Sequence, residues 1–114
     1  MALAFSFAPL ASTQQKISSS AASPTPRALV NQYCVACHNQ KVKTAGVALD
    51  AIDPQKVSPD SAVWEKVLRK VSAGQMPPAG MPHASPAATA DFTKWLGDAL
   101  DQAAAGHPNP GDPT

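Results

Sequence analysis

Residues 33–40 read YCVACHNQ, and they hold both cysteines of the 114-residue chain, Cys34 and Cys37, with His38 directly behind the second. Two thiols separated by two residues and followed at once by an imidazole form the attachment pattern of c-type haem. Each thiol can add across one vinyl group to form a thioether, and from the end of a helix the two sulfurs reach both vinyls on one porphyrin edge. His38 then lies beneath the iron as its proximal ligand. Its other ring nitrogen is expected to donate to a backbone carbonyl, which fixes the tautomer. One haem c held through Cys34 and Cys37 would also supply a core to a chain with only three Phe, two Trp and one Tyr.

Three rivals fit less well. A structural zinc site wants four ligands, usually in two knuckles, and here His83 and His107 stand far from the single cysteine pair. A thioredoxin-like dithiol belongs on a βαβ pattern, which the chain lacks. A disulfide between Cys34 and Cys37 in an interaction module leaves His38 and the proline-rich stretch further on without a role.

Working outward, three helix starts share one device, a hydroxyl residue followed by proline. Thr25-Pro26 opens PRALVNQYCVAC, with Leu29, Val30, Tyr33 and Cys37 at helical spacing. Ser58-Pro59 precedes DSAVWEKVLRKVSAG, where Val63, Trp64, Val67, Leu68 and Val71 form one apolar stripe and Gly74 sits at the stop. Ser85-Pro86 precedes AATADFTKWLGDALDQAAA, which is expected to bury Phe92, Trp95, Leu96, Ala99 and Leu100 before Gly106. Nothing alternates with period two for long enough to make a strand. The expected fold is all-α, with about three main helices wrapped around one covalent haem.

The connections 38–57 and 75–83 are long for so small a domain, and such loops tend to be functional. The second, QMPPAGMPH, carries Pro77, Pro78 and Pro82, so it is expected to run as a stiff, extended strap. Apart from Met1, both methionines, Met76 and Met81, lie on it. A thioether is a soft, neutral axial ligand that favours ferrous iron and raises the reduction potential. Met76 is preferred over Met81 because Gly74 ends the helix just ahead and two prolines follow directly. His83 is a third candidate for the sixth position, although solvent exposure is the simpler expectation for it and for His107.

Secondary candidates are weaker. Trp64 or Trp95 could donate its indole N–H to a haem propionate, with core packing the plainer role for each. Arg69 and Lys70 could neutralise propionates, and Tyr33 is expected in the interhelical core. The net charge of +1 and the absence of interleaved basic and aromatic residues argue against nucleic acid as a partner. Between Lys16 and Lys70 eight Lys or Arg stand against Asp50, Asp53, Asp60 and Glu65, whereas four Asp face only Lys94 from Asp91 onward, a dipole able to steer docking to a protein partner, with solvated helix faces the plainer reading.

The ends look unsuited to a core. Residues 1–24 begin with MALAFSFAPLAS, too short and too lightly flanked for a membrane span, and are expected to be a flexible leader or signal-peptide remnant. Residues 25–105 are the expected domain, and 106–114, GHPNPGDPT, read as a linker to a further region.

With these motifs in place the chain resembles a class I cytochrome c. The resemblance rests on Cys34-Val35-Ala36-Cys37-His38 at the end of a first helix, Met76-Pro77-Pro78, and FTKWL at 92–96 in the last helix. It is closer still to the N-terminal cytochrome c modules of large multidomain planctomycete and acidobacterial proteins, through YCVACHNQKVKTAGVALD, VWEKVLRKVSAGQMPPAGMP and HPNPG. The resemblance implies that the first and last helices cross near the haem, so that Leu29 and Tyr33 meet Phe92, Trp95 and Leu96. It also implies an electron-transfer module of a longer redox protein, passing electrons to neighbouring domains or a separate redox partner. Such a module would be monomeric alone and would reside in the periplasm or elsewhere outside the cytoplasm. Filling both axial positions with His38 and Met76 favours a carrier over an enzyme. A haem-based gas sensor or peroxidase-like catalyst with a labile methionine remains the alternative. The stretch KTAGVALD departs from better-known small cytochromes, so no haem-edge contact transfers to it.

Overall fold

The structure, a computed structural model, describes residues 22–106. Most of the expected leader and linker, and with them His107, lies outside the described residues. The described chain is all-α, with α1 (Pro26–Tyr33), α2 (Ser61–Ser72) and α3 (Pro86–Gly106), and it contains no strand.

Two of the three hydroxyl–proline starts work as expected. Thr25 Oγ1 accepts from the Ala28 N–H at 3.2 Å with Pro26 opening the helix, and Ser85 Oγ accepts from Ala88 at 3.1 Å ahead of Pro86. Each hydroxyl satisfies an N–H that the helix itself cannot. Ser58-Pro59 behaves differently. It opens a separate 3₁₀ turn, Ser58–Asp60, and α2 begins only at Ser61, with no side-chain cap.

The end of α2 is a Schellman motif. The Gly74 N–H bonds to the Val71 carbonyl at 3.0 Å and the Gln75 N–H to that of Lys70 at 2.9 Å, with Gly74 left-handed at φ +70°. Lys70 also accepts from the Met76 N–H at 3.2 Å, so the helix stop fixes where the strap departs. A Cβ at position 74 would meet nothing within 4 Å, so only the backbone conformation resists it. Gly74→Ala is therefore expected to cost about 1–2 kcal/mol, the left-handed penalty for a side chain, measurable by thermal or urea unfolding.

Leu29 and Val30 from α1, Leu49 and Val57 from the connection, Trp64 from α2, and Phe92, Leu96 and Leu100 from α3 form one buried cluster. Tyr33, Val63, Val67, Leu68, Val71, Trp95 and Ala99 pack against it while remaining partly exposed. Residues of α1 and α3 thus enter one core, although Trp95 and Ala99 are not fully buried. The α2 stripe buries only Trp64 completely. Among the described residues no helix is long and apolar enough to cross a membrane.

Candidate functional site

The first helix does not carry the cysteine motif, contrary to the sequence expectation. It stops at Tyr33, because the Val30 carbonyl accepts from Cys34 at 3.0 Å and also from Val35 at 3.2 Å, which ends the regular ladder. The motif then forms a turn of its own, closed by hydrogen bonds from the Cys37 and His38 N–H groups to the Cys34 carbonyl at 3.3 and 3.0 Å. Both cysteines are free thiols; Cys34 is half-buried and Cys37 exposed. Burial pushes the Cys34 thiol up to about 11. At neutral pH this free thiol stays protonated, unlike the thiolate of a redox nucleophile. Among the described residues no three His, Cys, Asp or Glu side chains gather as metal donors.

The imidazole of His38 is oriented by the segment that follows it. Its Nδ1 lies 3.0 Å from the Thr44 carbonyl. A carbonyl can only accept, so Nδ1 carries the proton and the lone pair on Nε2 is left for a metal. The backbone returns to the motif at two further points. Thr44 N–H donates to the Cys37 carbonyl at 3.2 Å, and Leu49 N–H donates to the His38 carbonyl at 2.8 Å. Arg27 of α1 holds the far end, donating to the Leu49 carbonyl at 3.1 Å and to that of Ile52.

The strap after α2 is not fully extended. A turn closed by Met81 N–H to the Pro78 carbonyl at 3.1 Å, with Gly80 at φ +86°, bends it, and His83 Nε2 lies 3.3 Å from the same carbonyl. Pro77 and Pro78 remove two donors, but glycine at position 80 lets the chain fold back. The bend separates the two methionines. Met76 lines a cleft together with Leu29, Tyr33, Cys34, Phe92 and His83, whereas Met81 is 47 % exposed and does not line it.

Cys34, Met76, Tyr33 and His83 are therefore brought together. Cys37 and His38 belong to the same turn as Cys34 without lining the cleft. Trp95 is half-buried, Arg69 is exposed, and Lys70 donates to the Gln75 side chain at 2.9 Å. Trp64 is fully buried, and its indole N–H finds no acceptor in the structure. A buried donor without a partner is costly, so this atom calls for one.

The arrangement suits a covalently held porphyrin on chemical grounds. It offers two sulfurs on one turn, an imidazole with Nε2 free, and a cleft with apolar walls that Cys34 and the Met76 thioether both line. At about 100 Å³ the cleft is smaller than ligand pockets of the usual size, roughly 300–1,000 Å³.

A small all-α fold with this motif and a strap carrying two methionines has the features expected of a c-type cytochrome domain. Residues 34–80 match the family model described as Planctomycete cytochrome C, a stretch containing Cys34, Cys37, His38 and Met76. Over that stretch the chain is similar to the cytochrome c modules of planctomycete proteins, a family that implies covalent haem c. No curated protein and no solved structure matches the chain.

Sequence reasoning missed Asn39, Thr44 and Arg27. Thr44 acts through its carbonyl, which no side-chain pattern announces. Asn39 did carry a signal, since Asn directly after a turn motif commonly bonds the backbone two or three residues on.

Proposed function

We propose that residues 25–105 form a monohaem electron-carrier module of a larger extracytoplasmic redox protein, with 106–114 as a linker. In this reading Cys34 and Cys37 are the thioether anchors, and His38 and Met76 are the axial ligands. When bound, haem c supplies a one-electron ferric/ferrous couple. The observation that carries the proposal is the orientation of His38. Its Nδ1 proton is committed to the Thr44 carbonyl, while Met76 lies in one cleft with Cys34.

The residues divide the work. The Thr44 carbonyl fixes the tautomer of His38 and keeps its ring from turning. Met76, leaving the Schellman end of α2, offers a neutral sulfur that favours the reduced state and excludes exogenous ligands. Leu29, Tyr33 and Phe92 give the cleft apolar walls. Trp64 supplies an N–H for a propionate, which would relieve its unpaired state.

That last role is separable by experiment. Trp64→Phe keeps the ring and removes the N–H. It is expected to destabilise the haem-loaded protein by about 1.5–3 kcal/mol, the range for a hydrogen bond to a charged group, and to leave the haem-free chain unchanged or slightly more stable. Equal effects on both forms, by thermal unfolding, would remove Trp64 from the site.

The reading as a whole is tested by absorption spectra of protein matured in a haem-attaching host, ferric and ferrous, with and without carbon monoxide. Sharp low-spin ferrous bands, a weak red ferric band from iron–thioether ligation, and no response to carbon monoxide are expected. High-spin bands or prompt carbon monoxide binding would shift the reading to a gas sensor or peroxidase-like catalyst with a labile methionine.

A further inference from the structure

We propose that Asn39 is the positioning residue of His38, acting as a clasp between the cysteine turn and the segment that supplies the Thr44 carbonyl. The inference rests on the reading of His38 as the proximal ligand. One carboxamide makes four hydrogen bonds. Its Nδ2 donates to the Val35 carbonyl at 2.8 Å and the Ala36 carbonyl at 3.2 Å, both inside the motif turn. Its Oδ1 accepts from the Lys41 and Val42 N–H groups, each at 2.9 Å, at the start of the returning segment. The Asn39 carbonyl adds a fifth bond, accepting from Lys43 N–H at 2.8 Å.

The arrangement is directional. Donor groups face the two motif carbonyls and the acceptor faces two N–H groups, so only a carboxamide satisfies both sides. Beyond the clasp the backbone enters strained territory, with Lys43 at φ +48° and Ala45 at φ +55°, both left-handed, followed by Gly46 at +73°. Side-chain-bearing residues adopt this conformation only where their surroundings impose it. The strain is localised to the residues flanking Thr44. It turns the Thr44 carbonyl so that one oxygen accepts from both His38 Nδ1 and Val47 N–H, at 3.0 and 3.2 Å. Asn39 thus holds both ends of the arc that closes on the imidazole, and does not line the cleft.

The consequence is electronic as well as structural. A loosened Nδ1–H···O bond makes the imidazole a poorer donor to iron, which favours the ferrous state. Second-sphere partners of this kind commonly change ligand behaviour by about 10–100-fold.

Haem-loaded wild type, Asn39→Ala and Asn39→Asp are compared by two readouts: the exchange rate of the His38 Nδ1 proton by NMR, and the reduction potential. Asn39→Ala is expected to speed exchange and to raise the potential. Asn39→Asp keeps the bonds from Lys41 and Val42 but turns an acceptor toward the Val35 and Ala36 carbonyls, so it moves both readouts in the same direction by less. Should Asn39→Ala fail to accumulate, Asn39→Asp carries the comparison. Variants that lower thermal stability yet leave both exchange and potential at wild-type values would overturn the proposal. A wild-type chain that takes up no haem would instead overturn the reading of His38 as a ligand.

Discussion

Replacing Met76 with alanine is expected to lower the reduction potential by on the order of 0.1 V or more, part of the roughly 0.8 V span that axial ligands cover, and to make the ferrous iron bind carbon monoxide. Met81→Ala is expected to change neither. The two methionines are five residues apart on one strap, and the bend at Pro78–Met81 puts one in the cleft with Cys34 and leaves the other 47 % exposed. Removing an exposed thioether costs little, whereas removing Met76 takes away the soft ligand proposed for the site. His83 lines the same cleft and could fill the vacated position with an imidazole. Met76→Ala is therefore best paired with Met76→Ala/His83→Ala, in which carbon monoxide binding should be complete. Potentiometry and ferrous–carbon monoxide spectra check both statements. A larger loss in Met81→Ala than in Met76→Ala would reverse the ligand assignment.

The second large effect concerns attachment. Cys34→Ser/Cys37→Ser is expected to lose all covalent haem, read as a peptide band or mass without the group after denaturation. The single variants are expected to differ from each other. Cys34 is half-buried against the cleft and Cys37 is exposed, so serine at 34 also places a hydroxyl in surroundings that disfavour polar groups. Lower yield and stability should follow for Cys34→Ser than for Cys37→Ser. Equal behaviour would mean that the environments of the two sulfurs do not matter for the matured protein.

Much of this architecture is legible in the chain. Thr25-Pro26 and Ser85-Pro86 cap helices because a hydroxyl acceptor followed by a residue without an N–H meets the needs of a helix start. Gly74 ends α2 because only the left-handed conformation closes the Schellman bonds there. The same rules misplace two boundaries. Ser58-Pro59 also suits a 3₁₀ turn, which uses it instead. The first helix ends at Tyr33 because the Val30 carbonyl takes two donors, a backbone event that Leu29, Val30, Tyr33 and Cys37 at helical spacing could not reveal.

At the site, the side chains that would carry the chemistry stand out by type, but what positions them does not. Thr44 contributes a carbonyl, Lys43 and Ala45 contribute dihedral angles, and Arg27 bonds to carbonyls more than twenty residues away. Such contributions depend on where the backbone goes, and residue type encodes them weakly. Trp64 lies between these cases. Its amphipathic ring marks it as a candidate donor, but only its complete burial without an acceptor distinguishes it from Trp95.

The measurement closest to the centre of this account is the mass of the denatured chain after maturation in a host that attaches haem. Attachment through Cys34 and Cys37 predicts the polypeptide mass plus one haem, with the addition confined to the peptide spanning residues 34–38. A bare polypeptide mass, or one lighter by the two hydrogens of a Cys34–Cys37 disulfide, would contradict it.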